Sequence, residues 1–344
     1  MGAVTGFLSN YSGNVKAAFA LWPAFSLLLT LPILAYLYHR DGRLRASSVV
    51  GTYLAVLYLL GIGCFTLWPL PDGTSGPGIT YGIEPNFNPL GLIGNIQEDG
   101  LRAVFELLFN TVFFMPLGFI AKRLLRLRLG TTVLLSFAVS LLVETAQLTG
   151  IFGMYPYAYR CFDVDDLITN TLGGGIGWLA AAALGQVLPD APKPVETDRH
   201  PGFVRRCVAL WIDLMLTGAG AVVLWSVIVA VQLFTAATSL PEAIRVVDSS
   251  DASSLTAWAL LLTPAILFLV LETVVPWVNH GSTPGGAFVH MTCESHERTT
   301  GWRAAFYAAR TLTLAALVAL PWLALPFLLI FYAVARRMPY DYIP

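Results

Sequence analysis

Charge is scarce in this chain. Only 12% of its 344 residues are Asp, Glu, Lys or Arg, about half the share usual in soluble domains, while 56% are hydrophobic. Such a chain has more apolar surface than water tolerates and needs lipid to cover it. With 20 basic against 21 acidic residues the net charge is -1, which provides no field for nucleic acid, so no nucleic-acid partner is expected. Cys64, Cys161, Cys207 and Cys293 are scattered, without CxxC or Cys/His spacing, and read as structural or incidental thiols rather than metal ligands. GxSxG, HExxH and a P-loop lysine are missing as well, so no cofactor or metal is expected and any enzyme reading rests on carboxylates. The first residues have no basic start and no short apolar core before a cleavage site, so the first apolar run is expected to be a retained anchor.

Long apolar runs take up most of what remains. A span needs about 20 apolar residues, because each rises about 1.5 Å across a core of about 30 Å. This rule predicts an all-α, polytopic transmembrane bundle with helices near 17–38, 47–69, 103–121, 130–150, 167–188, 206–235 and 255–279. The last run, 304–336, is long for one crossing and short for two; Pro321 and Pro326 offer a turn, and a hairpin of short helices is expected, giving eight or nine crossings. HRDGRLR at 39–45 and KRLLRLR at 122–128 are the strongly basic connections, and the positive-inside rule assigns both to the cytoplasm, with the N-terminus outside. Residues 70–102 and 151–166 then face outwards. The Pro-, Asp- and Arg-bearing segment 189–206 returns to the cytoplasm and contains a linker between two modules. The expected organisation is an anchor helix and basic loop at 1–44, a membrane module at 45–188, a linker at 189–200 and a second membrane module at 201–344.

Ionisable groups inside a bilayer are costly and usually face a bundle interior or a water cavity. Ser140, Glu144 and Gln147 share one helix face, and Arg102, Glu106 and Asn110 form a stripe on another. Asn170 shares a face with Asp163 and Asp166 on a third span, and Arg160 stands nearby to balance several carboxylates. All of these fall near the outer boundary. Asp163 or Asp165 is expected to cap the helix that follows. The cluster reads either as a ligand or substrate site, or as an ion-pair and hydrogen-bond network that fixes helix register. Gly173 and Gly177 form GxxxG, which points to close helix packing.

FNPL at 87–90, NxxxFxPxG at 110–118, SxxxExxQ at 140–147 and RxxDxxDLITNTLGG at 160–174 together resemble the VanZ family over roughly residues 45 to 185. The resemblance implies a bacterial cytoplasmic (inner) membrane protein of a family named for a member that raises resistance to teicoplanin. It places the family's polar signature on Asn88, Asn110, Glu144, Gln147, Arg160, Asp163, Asp166 and Asn170. With Glu106, these are the candidate ligand-binding residues.

In the second module, Arg206 and Asp213 lie seven residues apart on one helix face, and Asp213, Glu272 and Arg310 fall at similar depth on three helices, an expected buried pair or triad. RxxAxxID at 206–213, TPG at 283–285 and RRMPYDYIP at 336–344 resemble the RDD family from about 201 onwards, with Arg206, Asp213, Arg310 and Asp341 as signature residues. Gly286 stands where that family commonly has lysine. The resemblance implies cation/proton antiport, while the charge pairs themselves read as those of a membrane-packing or partner module. His280, His290 and His296, with Glu294 and Glu297, lack a ligand spacing and are expected to be solvated.

Three functions remain open at this stage. The first is modulation of the cell envelope by binding a lipid-linked wall precursor or a glycopeptide at the outer pocket, with membrane lipids as the other partners. The second is an enzyme acting on a lipid-linked substrate, with Glu144, Asp163 and Asp166 as acid-base groups. The third is transport through the second module. No oligomeric state follows from the sequence.

Overall fold

In the computed structural model, residues 12–67, 84–89, 100–158, 160–188, 195–236 and 262–344 are described, and they are helical with only two isolated bridge pairs. They divide into two compact units: unit 1 within 1–30 and 45–192, and unit 2 within 31–44 and 193–344. The first helix, α1 (Ser12–Asp41), contributes to both. Its residues 31–41 belong with the second module, not with a separate anchor. Likewise residues 195–200, expected within a linker, are part of unit 2, where Asp198 exchanges backbone bonds with His290 and Thr292.

Unit 1 continues with α2 (Ala46–Leu67), α3 (Leu101–Arg123), α4 (Leu129–Leu148) and α5 (Val164–Val187). These, α1 and α6 (Phe203–Ala236) provide six helices long and apolar enough to cross a membrane. Large apolar side chains such as Leu27 and Leu28 stand 80% and 72% exposed, a surface suited to lipid and penalised by water. Basic residues close α1 (His39, Arg40) and α3 (Lys122, Arg123), where the helix dipole favours cations.

The tightest packing joins α3 to α5. A methyl group on Gly173 would strike the Thr111 carbonyl, one on Gly177 the Met115 carbonyl, and one on Gly118 the Gly174 carbonyl. Glycine therefore removes the side chain from both sides of this contact, as the GxxxG spacing predicts. Gly174 in turn faces Ser136 of α4.

Unit 2 holds α6, α7 (Leu262–Val278, with a π-helical turn at Val270–Val274), α8 (Pro284–Phe288), α9 (Thr300–Ala319) and α10 (Pro321–Ala335). Of the expected 255–279 span, residues 255–261 lie outside the described residues. The 304–336 run is broken where Leu320 leaves helical geometry and Pro321 restarts the helix, because proline cannot donate to the preceding turn. Phe306 of α9 and Leu328 of α10 then share one core with Cys293, Tyr307, Met338 and Tyr340. A second core joins Ala35 and Tyr38 of α1 to Val208, Ala209, Val289 and Met291.

Candidate functional site

At one end of unit 1 the N-terminus of α5 meets the C-terminal part of α4, the first half of α3 and the segment 84–89. Asp163 caps α5, its carboxylate accepting the Asp165 N–H at 2.9 Å, an interaction of about 1 kcal/mol. The same oxygen accepts the Asn86 side-chain amide at 3.1 Å. Asn86 is held there by its backbone, which accepts from Val164 and donates to Phe162. From α4, Glu144 is 2% exposed and takes the Asp163 N–H on Oε2 at 3.1 Å. From α3, the Asn110 amide donates to Asp166 at 2.6 Å. Thus four chain segments converge on one carboxylate cluster.

Deeper in the bundle Asn170 donates to Ser140 at 3.0 Å, while at the cluster's own end of α4 Gln147 reaches the Thr66 carbonyl of α2 at 3.0 Å. Thr132, Ser136, Ser140, Glu144 and Gln147, all at most 4% exposed, make one buried polar stripe along α4. Asp165 also turns inward, 4% exposed, with neither carboxylate oxygen hydrogen-bonded among the described residues. Its place in the first turn of α5 gives it the favourable end of the helix dipole.

Arg160 is exposed beside this cluster and its guanidinium makes no hydrogen bond or ion pair among the described residues, although its charge reaches Glu144 and Asp166. The second oxygens of Glu144 and Asp166 likewise take no hydrogen bond from the described residues. Among the described residues the arrangement thus leaves one cation and two carboxylate oxygens without a hydrogen-bond partner.

Not every expected residue joins. Asn88 is exposed, its backbone N–H donating to the Asn86 side chain, and it is the Asn86 amide that reaches Asp163. Glu106 is also exposed, and the Arg102 side chain lies outside the described residues. Most of the 71–100 loop lies outside them too.

In unit 2 the expected triad divides. Arg310 pairs with Glu272 at 2.6 Å and also holds the Glu272 carbonyl, while Asp213 instead accepts the Gly285 N–H of the TPG turn at 2.6 Å. A π-helical turn presents Glu272, and such turns often mark functional positions. Arg206 does not turn to Asp213; it clasps Asp341 with two bonds, at 2.9 and 3.3 Å, and reaches the Tyr340 hydroxyl. Arg205, which its spacing did not single out, is 7% exposed and ties the His290 carbonyl, Asp198 and the Gly42 carbonyl together over the Tyr38 ring. His290 bonds the His39 carbonyl at 3.1 Å rather than facing solvent alone, and His296 is exposed.

Six helices among the described residues, each long and apolar enough to cross a bilayer, define a multi-pass α-helical membrane protein. Residues 55–185 match the VanZ/LLP1 family and residues 200–343 match the RDD family. The chain therefore carries a VanZ-like domain followed by an RDD domain, a combination that marks a bacterial membrane protein. No curated protein and no solved structure matches it.

Proposed function

We propose that the VanZ-like domain binds a polar, lipid-linked wall precursor or a glycopeptide at the outer face of the cytoplasmic membrane and thereby modulates glycopeptide susceptibility. The observation that carries this reading is the convergence of Glu144, Asp163, Asp166, Asn86 and Asn110 beside an Arg160 guanidinium with no protein partner among the described residues. A guanidinium fork suits phosphate or carboxylate, and the side-chain amides suit sugar and peptide groups. The basic 122–128 connection lies at the opposite end of α3, which supports an outward orientation for the cluster. The test is direct binding of a lipid-linked precursor to the purified full chain. Wild type should bind and Arg160→Ala should lose most of the affinity; equal binding by both removes the reading.

A second reading is an enzyme on the same substrates, favoured by the second oxygens of Glu144 and Asp166, which take no hydrogen bond among the described residues. One acts as base and the other as acid on a group held by Arg160. Product formation from defined precursors should stop in Glu144→Gln; turnover that persists there assigns Glu144 no catalytic part.

A further inference from the structure

At the other end of unit 1, the last turns of α3 and α5 enclose a cavity of about 440 Å³ lined by Lys122, Arg123, Arg126, Ala182, Gly185 and Gln186. Its size falls within the range of small-ligand sites. Small residues make the room: Ala182 and Gly185 keep the α5 side low, and a Cβ on Gly185 would meet only the Arg123 guanidinium, at 3.7 Å.

The wall is strongly basic. Lys122 lies 4.4 Å from the centre of the Trp178 ring, and Arg123 gives one N–H to the Leu188 carbonyl at 3.2 Å. Neither is ion-paired among the described residues. Those contacts fix the two side chains without neutralising them. The C-termini of α3 and α5 each supply about half a negative charge, roughly one in total, against two full cations before Arg126 is counted. A net positive cavity remains, and it opens at the end of the helices where basic residues mark the membrane boundary.

We propose that this cavity binds a phosphate-bearing anion, and its position at the basic ends of two membrane helices favours the headgroup of an anionic lipid in the cytoplasmic leaflet as the source. Basic pockets between membrane helices on that side are suited to such headgroups. Trp178, whose indole N–H bonds the Leu127 carbonyl, holds both the Lys122 ammonium and the basic turn in place. The site is separate from the carboxylate cluster and does not depend on its function.

The experiment uses the full chain purified in detergent, with phosphatidylglycerol, phosphatidylcholine or inorganic phosphate as probe. Native mass spectrometry counts retained lipid, and melting temperature reports stabilisation. Wild type should retain phosphatidylglycerol several-fold over phosphatidylcholine. Lys122→Gln/Arg123→Gln should abolish that preference. So should Ala182→Phe, which fills the cavity and keeps every charge, whereas Arg336→Gln/Arg337→Gln should leave it intact. Stabilisation by inorganic phosphate without preference for phosphatidylglycerol, lost in Ala182→Phe, would assign the site to a soluble phosphate group. Equal lipid preference in wild type and Ala182→Phe, or no response of wild type to either probe, overturns the proposal. The two variants act by different means, so one that fails to fold leaves the other to decide.

Discussion

Glu144 of α4 accepts the backbone N–H of Asp163 at 3.1 Å, so the residue that caps α5 is itself held by the neighbouring helix. Glutamine in place of Glu144 keeps a carbonyl oxygen for that N–H, and leucine does not. Glu144→Gln should therefore fold with a melting temperature near wild type. Glu144→Leu should lose about 1–3 kcal/mol by leaving a buried donor unpaired. Thermal unfolding in detergent separates the two. In a teicoplanin-sensitive host at matched membrane levels, protection by wild type and none by Glu144→Gln would then report function rather than folding.

The α3–α5 contact makes a prediction about size. Gly177→Leu places a side chain on the Met115 carbonyl and should abolish monodisperse protein or lower stability by at least about 3 kcal/mol. Gly51→Ala, with open space around it, should change stability by less than about 0.5 kcal/mol. Comparable loss in both variants would contradict the close approach.

In unit 2, Arg310→Met leaves the Glu272 carboxylate buried and unpaired, which should cost about 3–5 kcal/mol. Adding Glu272→Met should recover most of it. A double-mutant cycle should give a larger coupling for Arg310 with Glu272 than for Arg310 with Asp213, since only the first pair is bonded. If the domain moves protons or cations, flux in everted vesicles should fail in Asp213→Asn while the Arg310–Glu272 pair keeps the fold.

Cys293 tests the core of this unit around Phe306 and Tyr307. It lies in the connection before α9, 3% exposed, and burial pushes its thiol above the ordinary range. Since the thiolate is the reactive form, alkylation in the native state should be slow at neutral pH and gain speed only in more alkaline buffer than a free cysteine requires. Unfolding should bring it to the ordinary rate. Fast native labelling at neutral pH would show that the core around Phe306, Tyr307 and Tyr340 is open.

Periodicity made the helices legible, because a bilayer permits few ways to satisfy a backbone and apolar runs of 20 residues announce themselves. Most of the carboxylate cluster was legible for the same reason: Glu144, Asp166, Asn110 and Asn170 are polar residues in segments that should have none. Asn86 was not, since it and Asn88 lie two apart in the same short loop and only pairing with Phe162 and Val164 chooses between them. Arg206 with Asp341 joins residues far apart in sequence, beyond the reach of any helical spacing. The split of α1 was equally hidden: all of it reads as one apolar run, and only the packing of Ala35 and Tyr38 against Val208 and Met291 assigns its end to unit 2.

The glycine contact between α3 and α5 constrains how the carboxylate cluster would respond to any ligand. Interlocked main chains without intervening side chains have no lubricating layer, so the two helices carry Asn110 and Asp166 as one stiff strut. Any rearrangement on binding would then be borne by α4, whose Glu144 accepts the Asp163 N–H, and by the piece around Asn86, whose amide donates to the Asp163 carboxylate and whose backbone pairs with Phe162 and Val164. Asp163 is in that sense the hinge pin of the cluster, and a cross-link that locks Asn86 to it would freeze the arrangement.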